Sequence, residues 1–152
     1  MLEIVKVIDN KTLAFPAYDG NGMFLSLGNI SDTAKIGLLF IDFETPNRIR
    51  VQATASVQQD SPLLSDYPGA IAVVSAQVDA VFVNCARYIH KYQRLETSPY
   101  VPDEQGEQPL PNWKRIDSMQ NHLPSKDKER AKQEGGTITE QQYGESLMRG
   151  ES

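Results

Sequence analysis

The chain has 152 residues, of which 39% are hydrophobic and 23% are charged, and its formal net charge is -5. This size suits one domain with a tail, and the acidic balance disfavours a nucleic-acid-binding protein. No apolar run reaches the roughly 18 residues that a membrane span needs, and the N-terminal residues lack the layout of a signal peptide. One cysteine and two histidines disfavour a disulfide and a metal site. The composition therefore predicts a soluble cytoplasmic protein.

The composition also divides the chain in two. About half of residues 1–93 are hydrophobic and about one in six is charged, whereas residues 94–152 are about one-fifth hydrophobic and about one-third charged. The second composition buries too little apolar surface to offset the entropy lost on ordering. We therefore predict a folded body in residues 1–93 and an extended, poorly structured tail in residues 94–152. Trp113, Ile116 and Leu123 are candidates to dock the tail on the body.

The first strands are predicted as a hairpin followed by a buried strand. Residues 2–9 alternate in part between apolar and polar side chains, and residues 12–18 form a second strand after a short turn at Asn10-Lys11. Residues 35–44 form a continuous apolar run, which predicts a central strand that is buried on both faces.

The following segments extend the sheet. Residues 48–59 alternate clearly and pair naturally with the preceding run. Residues 61–69 predict a loop or a short helix, and residues 70–85 predict a long strand that bends near Ala76–Gln77. Five strands with few helices favour a mainly β fold, a small antiparallel barrel or sandwich.

Two helices are predicted. A short helix within residues 19–30 begins at Asn21 and ends at Gly28. A second helix spans residues 84–94, with Asn84 as its N-cap.

The loop before the first helix is a candidate anion site. Its glycines allow the backbone to approach a ligand, and amide groups at a helix start favour a phosphate. Ser26 and Asn29 can add neutral hydrogen bonds. A plain turn between a strand and a helix explains the same residues.

Arg48 and Arg50 lie on one face of a predicted strand because side chains alternate. Two neighbouring guanidinium groups repel unless an anion lies between them. The alternative is a solvated face in which the arginines pair with Asp42 or Glu44.

Cys85 is predicted at a strand-to-helix junction, where its thiol has no evident base partner. His90 is a general acid–base candidate without a fixed partner. The sequence contains no catalytic triad spacing and no phosphate-binding GxxxxGK[ST] loop.

Four motifs in order resemble the pyridoxamine 5'-phosphate oxidase-like FMN-binding split-barrel proteins over about residues 2–93. They are FPAYDGNGMFLSLGNI, GLLFIDF, RIRVQATASV and VFVNCARYIHK, and the later SPYVP and LPNWKR resemble the tail of one flavoprotein subgroup. The resemblance implies a six-stranded Greek-key split barrel. It also implies a homodimer that binds FMN at the interface.

The resemblance assigns candidate cofactor contacts to three segments. The loop Asn21–Asn29 lies by the FMN phosphate and ribityl chain, and the strand with Arg48 and Arg50 reaches toward the flavin ring. The NCxRYIH motif lines the cleft. The candidate residues are Asn21, Gly22, Met23, Ser26, Asn29, Arg48, Arg50, Asn84, Arg87 and Tyr88.

The chain departs from the family in two ways. Family members carry a helix and about two strands before the point where this chain begins, so it resembles an N-terminally shortened member. Leu110–Leu123 is a candidate to cover the exposed sheet edge. The tail also lacks the Arg-and-His element that grips the substrate phosphate in the true oxidases, which disfavours oxidation of vitamin B6.

The leading hypothesis is therefore an FMN-dependent oxidoreductase that acts on a small molecule or a redox cofactor. The alternative is a non-catalytic dimeric split barrel that has lost FMN with its N-terminal strands. Haem or a deazaflavin in the same cleft is a third hypothesis. His90 or Cys85 would then be the axial haem ligand.

Overall fold

The structure, a computed structural model, describes residues 4–151. The chain forms two compact units, Met1–Glu107 and Gln108–Ser152. The first contains β1 (Lys6–Val7), β2 (Thr12–Ala17), α1 (Leu25–Thr33), β3 (Lys35–Asp42), β4 (Asn47–Gln58), a 3-10 helix (Pro62–Asp66) and β5 (Ala72–Asn84). The second contains 3-10 helices at Asn112–Arg115 and Asp117–His122, then α2 (Ser125–Gln133) and α3 (Glu140–Met148).

The described strands form one antiparallel sheet in the order β1-β2-β5-β4-β3. β3, β4 and β5 are successive neighbours, and β2 lies on the other side of β5, which gives a Greek-key order. The predicted mainly β Greek-key fold with few helices is confirmed. Residues 4–151 supply five strands where the resemblance implies six, and Leu2 and Glu3 of the predicted first strand lie outside the described residues.

The sheet has two faces of different character, which β4 sets by alternation. Val51, Ala53 and Ala55 are buried on one side, which we call the core face. Arg48 and Arg50 lie on the opposite side, which we call the arginine face.

α1 covers one part of the core face. Ile30 packs there in a cluster whose other buried members come from β4 and β5, namely Ala53, Ala55, Val74 and Ala76. On the other side of the sheet, Tyr67 packs on Ala14 and Val73, and its hydroxyl donates to the carbonyl oxygen of Ala14 at 3.3 Å. Each face therefore has its own cover.

Two sequence predictions about this unit need correction. β3 is not a central strand: within the described chain it pairs only with β4, at the sheet edge, and Leu39 is 53% exposed. Its apolar run therefore indicates exposed apolar surface rather than double burial. α1 is present but begins four residues after Asn21, and Gly28 lies inside it.

The predicted helix over residues 84–94 is wrong. Pairing with β4 holds Asn84 in β5, opposite Arg48. Arg48 Nη2 donates to the carbonyl oxygen of Cys85 at 2.9 Å, and the Ile89 amide, which a helix would direct to that carbonyl, bonds to Ala86 instead. A single turn closes from the Ile89 amide to the carbonyl oxygen of Ala86, and no helix follows before residue 98.

The second unit differs from the predicted extended tail, because its residues are largely helical. A buried ion pair between Lys114 Nζ and Asp127 Oδ2, at 2.8 Å, joins its first 3-10 helix to α2. A Thr139–Gln142 capping box begins α3. The buried apolar residues of this unit are Leu110, Ile116, Leu123 and Ala131. In the described part of the chain, no helix has the length and apolar character needed to cross a bilayer.

Candidate functional site

A groove of about 550 Å³ lies between the end of β2 and the start of α1. Its walls are mostly apolar, and Tyr18, Asn21 and Ser26 add polar groups. Its volume suits a small ligand. Burial raises the pKa of the Tyr18 phenol above its ordinary value. The apolar lining comes from Phe15, Ala17, Met23, Phe24, Leu25, Leu27, Ile30, Ile36 and Val74.

The loop that precedes α1 uses its own polar groups to hold its shape. The Gly22 amide donates to Asp19 Oδ1, and the Met23 amide donates to Asn21 Oδ1, each at 3.1 Å. These are local side-chain turns. The amides of Gly22 and Met23, which the resemblance places by the FMN phosphate, are therefore used within the loop.

The start of α1 keeps more binding capacity than the loop. Phe24 occupies the N-cap position with φ 48°, and no side chain caps the helix there. The first-turn amides, which include that of Ser26, therefore have no acceptor from the N-cap side chain. Asn29 lies further along α1, and its carbonyl oxygen accepts from Thr33 Oγ1.

The arginine face carries a second cluster, at the end of β4 near the β3–β4 turn. Leu39, Arg50 and Phe82 lie side by side on three neighbouring strands. The Arg50 side chain is exposed and makes no hydrogen bond or ion pair within residues 4–151. The flanking side chains are also accessible, with Phe82 46% exposed.

Arg48 lies two residues before Arg50 on the same face of the sheet. It pairs with Ile41 of β3 and with Asn84 of β5. Its Nε atom and Asn84 Oδ1 are buried without a hydrogen-bond partner. A buried donor and a buried acceptor without partners are costly and call for an explanation. The alternative pairing with Asp42 is not observed among the described residues, because Asp42 Oδ1 accepts the amides of Glu44 and Thr45.

The remaining candidates follow β5. Arg87 and Tyr88 lie in a turn, and Tyr88 is 88% exposed. Cys85 and His90 are also exposed, and Cys85 is a free thiol.

The candidate residues therefore form two groups in one chain. Arg48 lies five residues before Ala53, which packs under α1. At about 3.3 Å per residue the separation is roughly 17 Å along the strand. The structure brings Arg48, Arg50 and Asn84 together and leaves the Asn21–Asn29 segment apart from them.

Comparison with solved structures finds similar chains, although no protein-family model and no curated protein matches this one. Two are structures of HupZ from Group A Streptococcus, one of them a point variant. They have identities of 22% and 23%, TM-scores of 0.45 and 0.44, and cover 53% of this chain and 73% and 68% of theirs. A candidate pyridoxamine 5'-phosphate oxidase from Lactobacillus delbrueckii has 25% identity and a TM-score of 0.43. That match covers 53% of this chain and 68% of the other.

Sequence reasoning missed Tyr18, Leu39 and Phe82. Tyr18 stands directly before the glycine-rich loop, and its position alone could have suggested a groove residue. Leu39 and Phe82 look like ordinary core residues in their strands, so only the pairing with Arg50 reveals their place on the arginine face.

Proposed function

We propose that this protein is an FMN-binding flavoprotein of the pyridoxamine 5'-phosphate oxidase-like family that acts as an oxidoreductase. The arrangement of Leu39, Arg50 and Phe82 carries the proposal. A cationic group between two accessible apolar side chains suits a flat, partly apolar ligand with electron-rich atoms at its edge. An isoalloxazine ring is such a ligand.

The buried atoms without partners support the same ligand class. A flavin has a polar edge that both accepts and donates hydrogen bonds. Arg48 Nε is a donor without a partner, and Asn84 Oδ1 is an acceptor without a partner. The donor set therefore fits the group, and Arg48, Arg50 and Asn84 are the residues that would hold its ring.

The phosphate and ribityl chain would be held at the start of α1. The first-turn amides and the Ser26 hydroxyl suit an anion there. Asn21, Gly22 and Met23 would shape this end of the site, because their polar groups already stabilise the loop.

A homodimer would join the two groups of residues where the α1 of the partner reaches the arginine face, and the uncovered core face offers a further contact surface. Beyond α1, the core face continues over Phe40, Ile49, Val81 and Val83, which are 37%, 39%, 58% and 83% exposed. A contiguous apolar patch of this kind marks an interaction surface. This patch lies on the opposite side of the sheet from Arg48 and Arg50, so a second copy that covers it would not by itself bring α1 to them.

When bound, the flavin supplies hydride or electron transfer. The chain's own part is to bind the ring, to hold its polar edge with Arg48 and Arg50, and to exclude water with Leu39 and Phe82. The substrate class is a small molecule or a reduced cofactor.

One observation favours the non-catalytic alternative. Because the amides of Gly22 and Met23 are used within the loop, the phosphate end has fewer free donors than the sequence predicts. A dimeric module without cofactor would leave Arg50 solvated.

Titration of the purified chain with FMN, followed by flavin fluorescence, tests the proposal. Loss of one charge-assisted contact in Arg50→Gln should weaken binding about ten- to a hundredfold. Ser26→Ala should weaken it less, because it removes a neutral contact. Arg149→Gln, in the second unit, removes the same charge and should bind FMN like the wild type. Equal affinity in all four proteins would contradict the site, and no affinity in the wild type would favour the non-catalytic module.

A further inference from the structure

The loop between β2 and α1 contains an Asn-Gly pair, Asn21 and Gly22. The sequence has seven asparagines, and each of the other six precedes a residue that carries a side chain. Asn21 and Gly22 are both exposed, and a Cβ on Gly22 would meet nothing within 4 Å. Water therefore reaches both residues, and no side chain shields the amide nitrogen of Gly22.

Two hydrogen bonds of this loop act on the same pair of residues. The Met23 amide donates to Asn21 Oδ1 at 3.1 Å. This bond closes a side-chain turn across the Gly22 peptide, so the carboxamide carbon of Asn21 is held near the Gly22 nitrogen. The Gly22 amide in turn donates to Asp19 Oδ1, also at 3.1 Å. The loop therefore holds an electrophilic carbon, a nitrogen, a carboxylate and an amide donor together.

These groups are the parts that an acyl transfer needs. A base must lie within about 3.2 Å of the group whose proton it takes. Asp19 Oδ1 lies 3.1 Å from the Gly22 nitrogen. A donor must lie within about 3.1 Å of the oxygen on which negative charge develops. The Met23 nitrogen lies 3.1 Å from Asn21 Oδ1, so one short loop supplies nucleophile, base and oxyanion donor.

We propose that Asn21 is a self-modification site, which loses ammonia when the Gly22 nitrogen attacks its side chain. The nitrogen passes its proton to Asp19 and forms a bond to Asn21 Cγ, while the Met23 amide stabilises the negative charge on Oδ1. The bond from Cγ to the side-chain nitrogen then breaks, and that nitrogen leaves as ammonia with the proton from Asp19. Water opens the resulting cyclic imide to aspartate or isoaspartate and is the only other reactant.

The modification adds one negative charge to a chain whose formal net charge is -5. Asn21 lines the groove between β2 and α1. A carboxylate at this end of the groove repels an anion at the start of α1. The reaction therefore lowers the affinity for FMN with time, a consequence that rests on the proposed function.

Mass spectrometry of tryptic peptides, after incubation of the full-length chain at mildly alkaline pH, tests the reaction. Asn10 is the matched internal control, because it is exposed and the following Lys11 amide also donates to a carboxylate, Asp9 Oδ1, at 2.8 Å. Its own carboxamide oxygen accepts no hydrogen bond within residues 4–151. Ammonia loss at Asn21 should be at least about tenfold faster than at Asn10, because orientation supplies more than that in intramolecular reactions. Equal rates at the two asparagines would overturn the proposal.

Asp19→Ser separates the assembled loop from the Asn-Gly pair alone. The serine removes the base and, unlike asparagine, creates no second Asn-Gly pair with Gly20. Ammonia loss at Asn21 should fall about tenfold or more, since a positioned base contributes at least that much. Asp9→Ser removes the same charge at the Asn10 turn and should leave the rate at Asn21 unchanged. An unchanged or faster rate in Asp19→Ser would show that Asp19 only holds the loop, and would overturn the assisted reaction.

FMN affinity separates the consequence from the reaction. Asn21→Asp should bind FMN about tenfold more weakly than the wild type. Asn10→Asp adds the same charge beyond the other end of β2 and should bind FMN like the wild type. Equal affinity in all three proteins would overturn the consequence for the site. A wild-type chain that ignores FMN would contradict the proposed function, whereas ammonia loss at Asn21 is measured without FMN and decides the reaction alone.

Discussion

The same sheet is covered at one end and bare at the other. Ala53, Val74 and Ala76 lie under α1 and are at most 1% exposed. Val81 and Val83 continue the apolar face of β5 but are 58% and 83% exposed. The difference teaches that alternation in a strand predicts which side chains share a face, whereas burial depends on what packs against that face.

The largest effect is expected at the covered end. Val74→Asp places an unpaired charge in a fully buried position and should lower the free energy of unfolding by about 3 kcal/mol or more. Urea denaturation followed by circular dichroism measures the loss. A change below about 1 kcal/mol would show that this end is not a close-packed core.

A substitution at the bare end should affect dimer formation rather than the stability of the folded chain. Val83→Asp should change the free energy of unfolding of a single chain by no more than about 0.5 kcal/mol, because the side chain is exposed. It should nevertheless convert a dimer to a monomer in light scattering, since it places charge in the proposed interface. Val7→Asp, on β1 at 74% exposed, is the matched control and should leave the dimer intact. The proposed surface is wrong if the two variants behave alike.

The smallest effect is expected at the edge of the covered end, where Tyr18 lines the groove. Its pKa is raised by burial, so the unfolded chain loses this proton first, as the pH rises above about 10. Stability should therefore fall above that pH. In Tyr18→Phe the fall should be smaller.

Urea midpoints at pH 8 and at about pH 11 measure this difference, because the two values lie on either side of the ordinary tyrosine pKa. Tyr88→Phe, with a ring that is 88% exposed, is the control and should follow the wild-type profile. A Tyr18→Phe profile identical to the wild type would place this ring in water.

Much of the sheet could be predicted from the sequence, because β4 alternates clearly and β2 and β5 are rich in apolar, strand-forming residues. β3 could not be placed, since its apolar run is the same for a central strand and for an uncovered edge. Residues 84–94 have helix-forming side chains, yet pairing with Arg48 holds Asn84 in a strand.

The helical structure of the second unit was not predicted, and the reason is different. Its stability depends on polar contacts between residues distant in sequence, such as Lys114 with Asp127 and Arg115 with the carbonyl oxygens of Gly135 and Gly136. Composition counts these side chains as charged and therefore as solvated. Which of them pair is known only once the fold is known.

The candidate site was predicted in part. Alternation placed Arg48 and Arg50 on one face, and the pairing of β3, β4 and β5 bears this out. The distance of this pair from α1 could not be read from the sequence, because it depends on how far β4 runs past the helix.

The visible absorbance spectrum of the freshly purified chain, before and after addition of FMN, tests the central claim most directly. A flavin spectrum that stays with the protein through gel filtration, and that Arg50→Gln diminishes, is the result that the account predicts. A colourless chain that does not retain added FMN would contradict it and leave the arginine face without a flavin role.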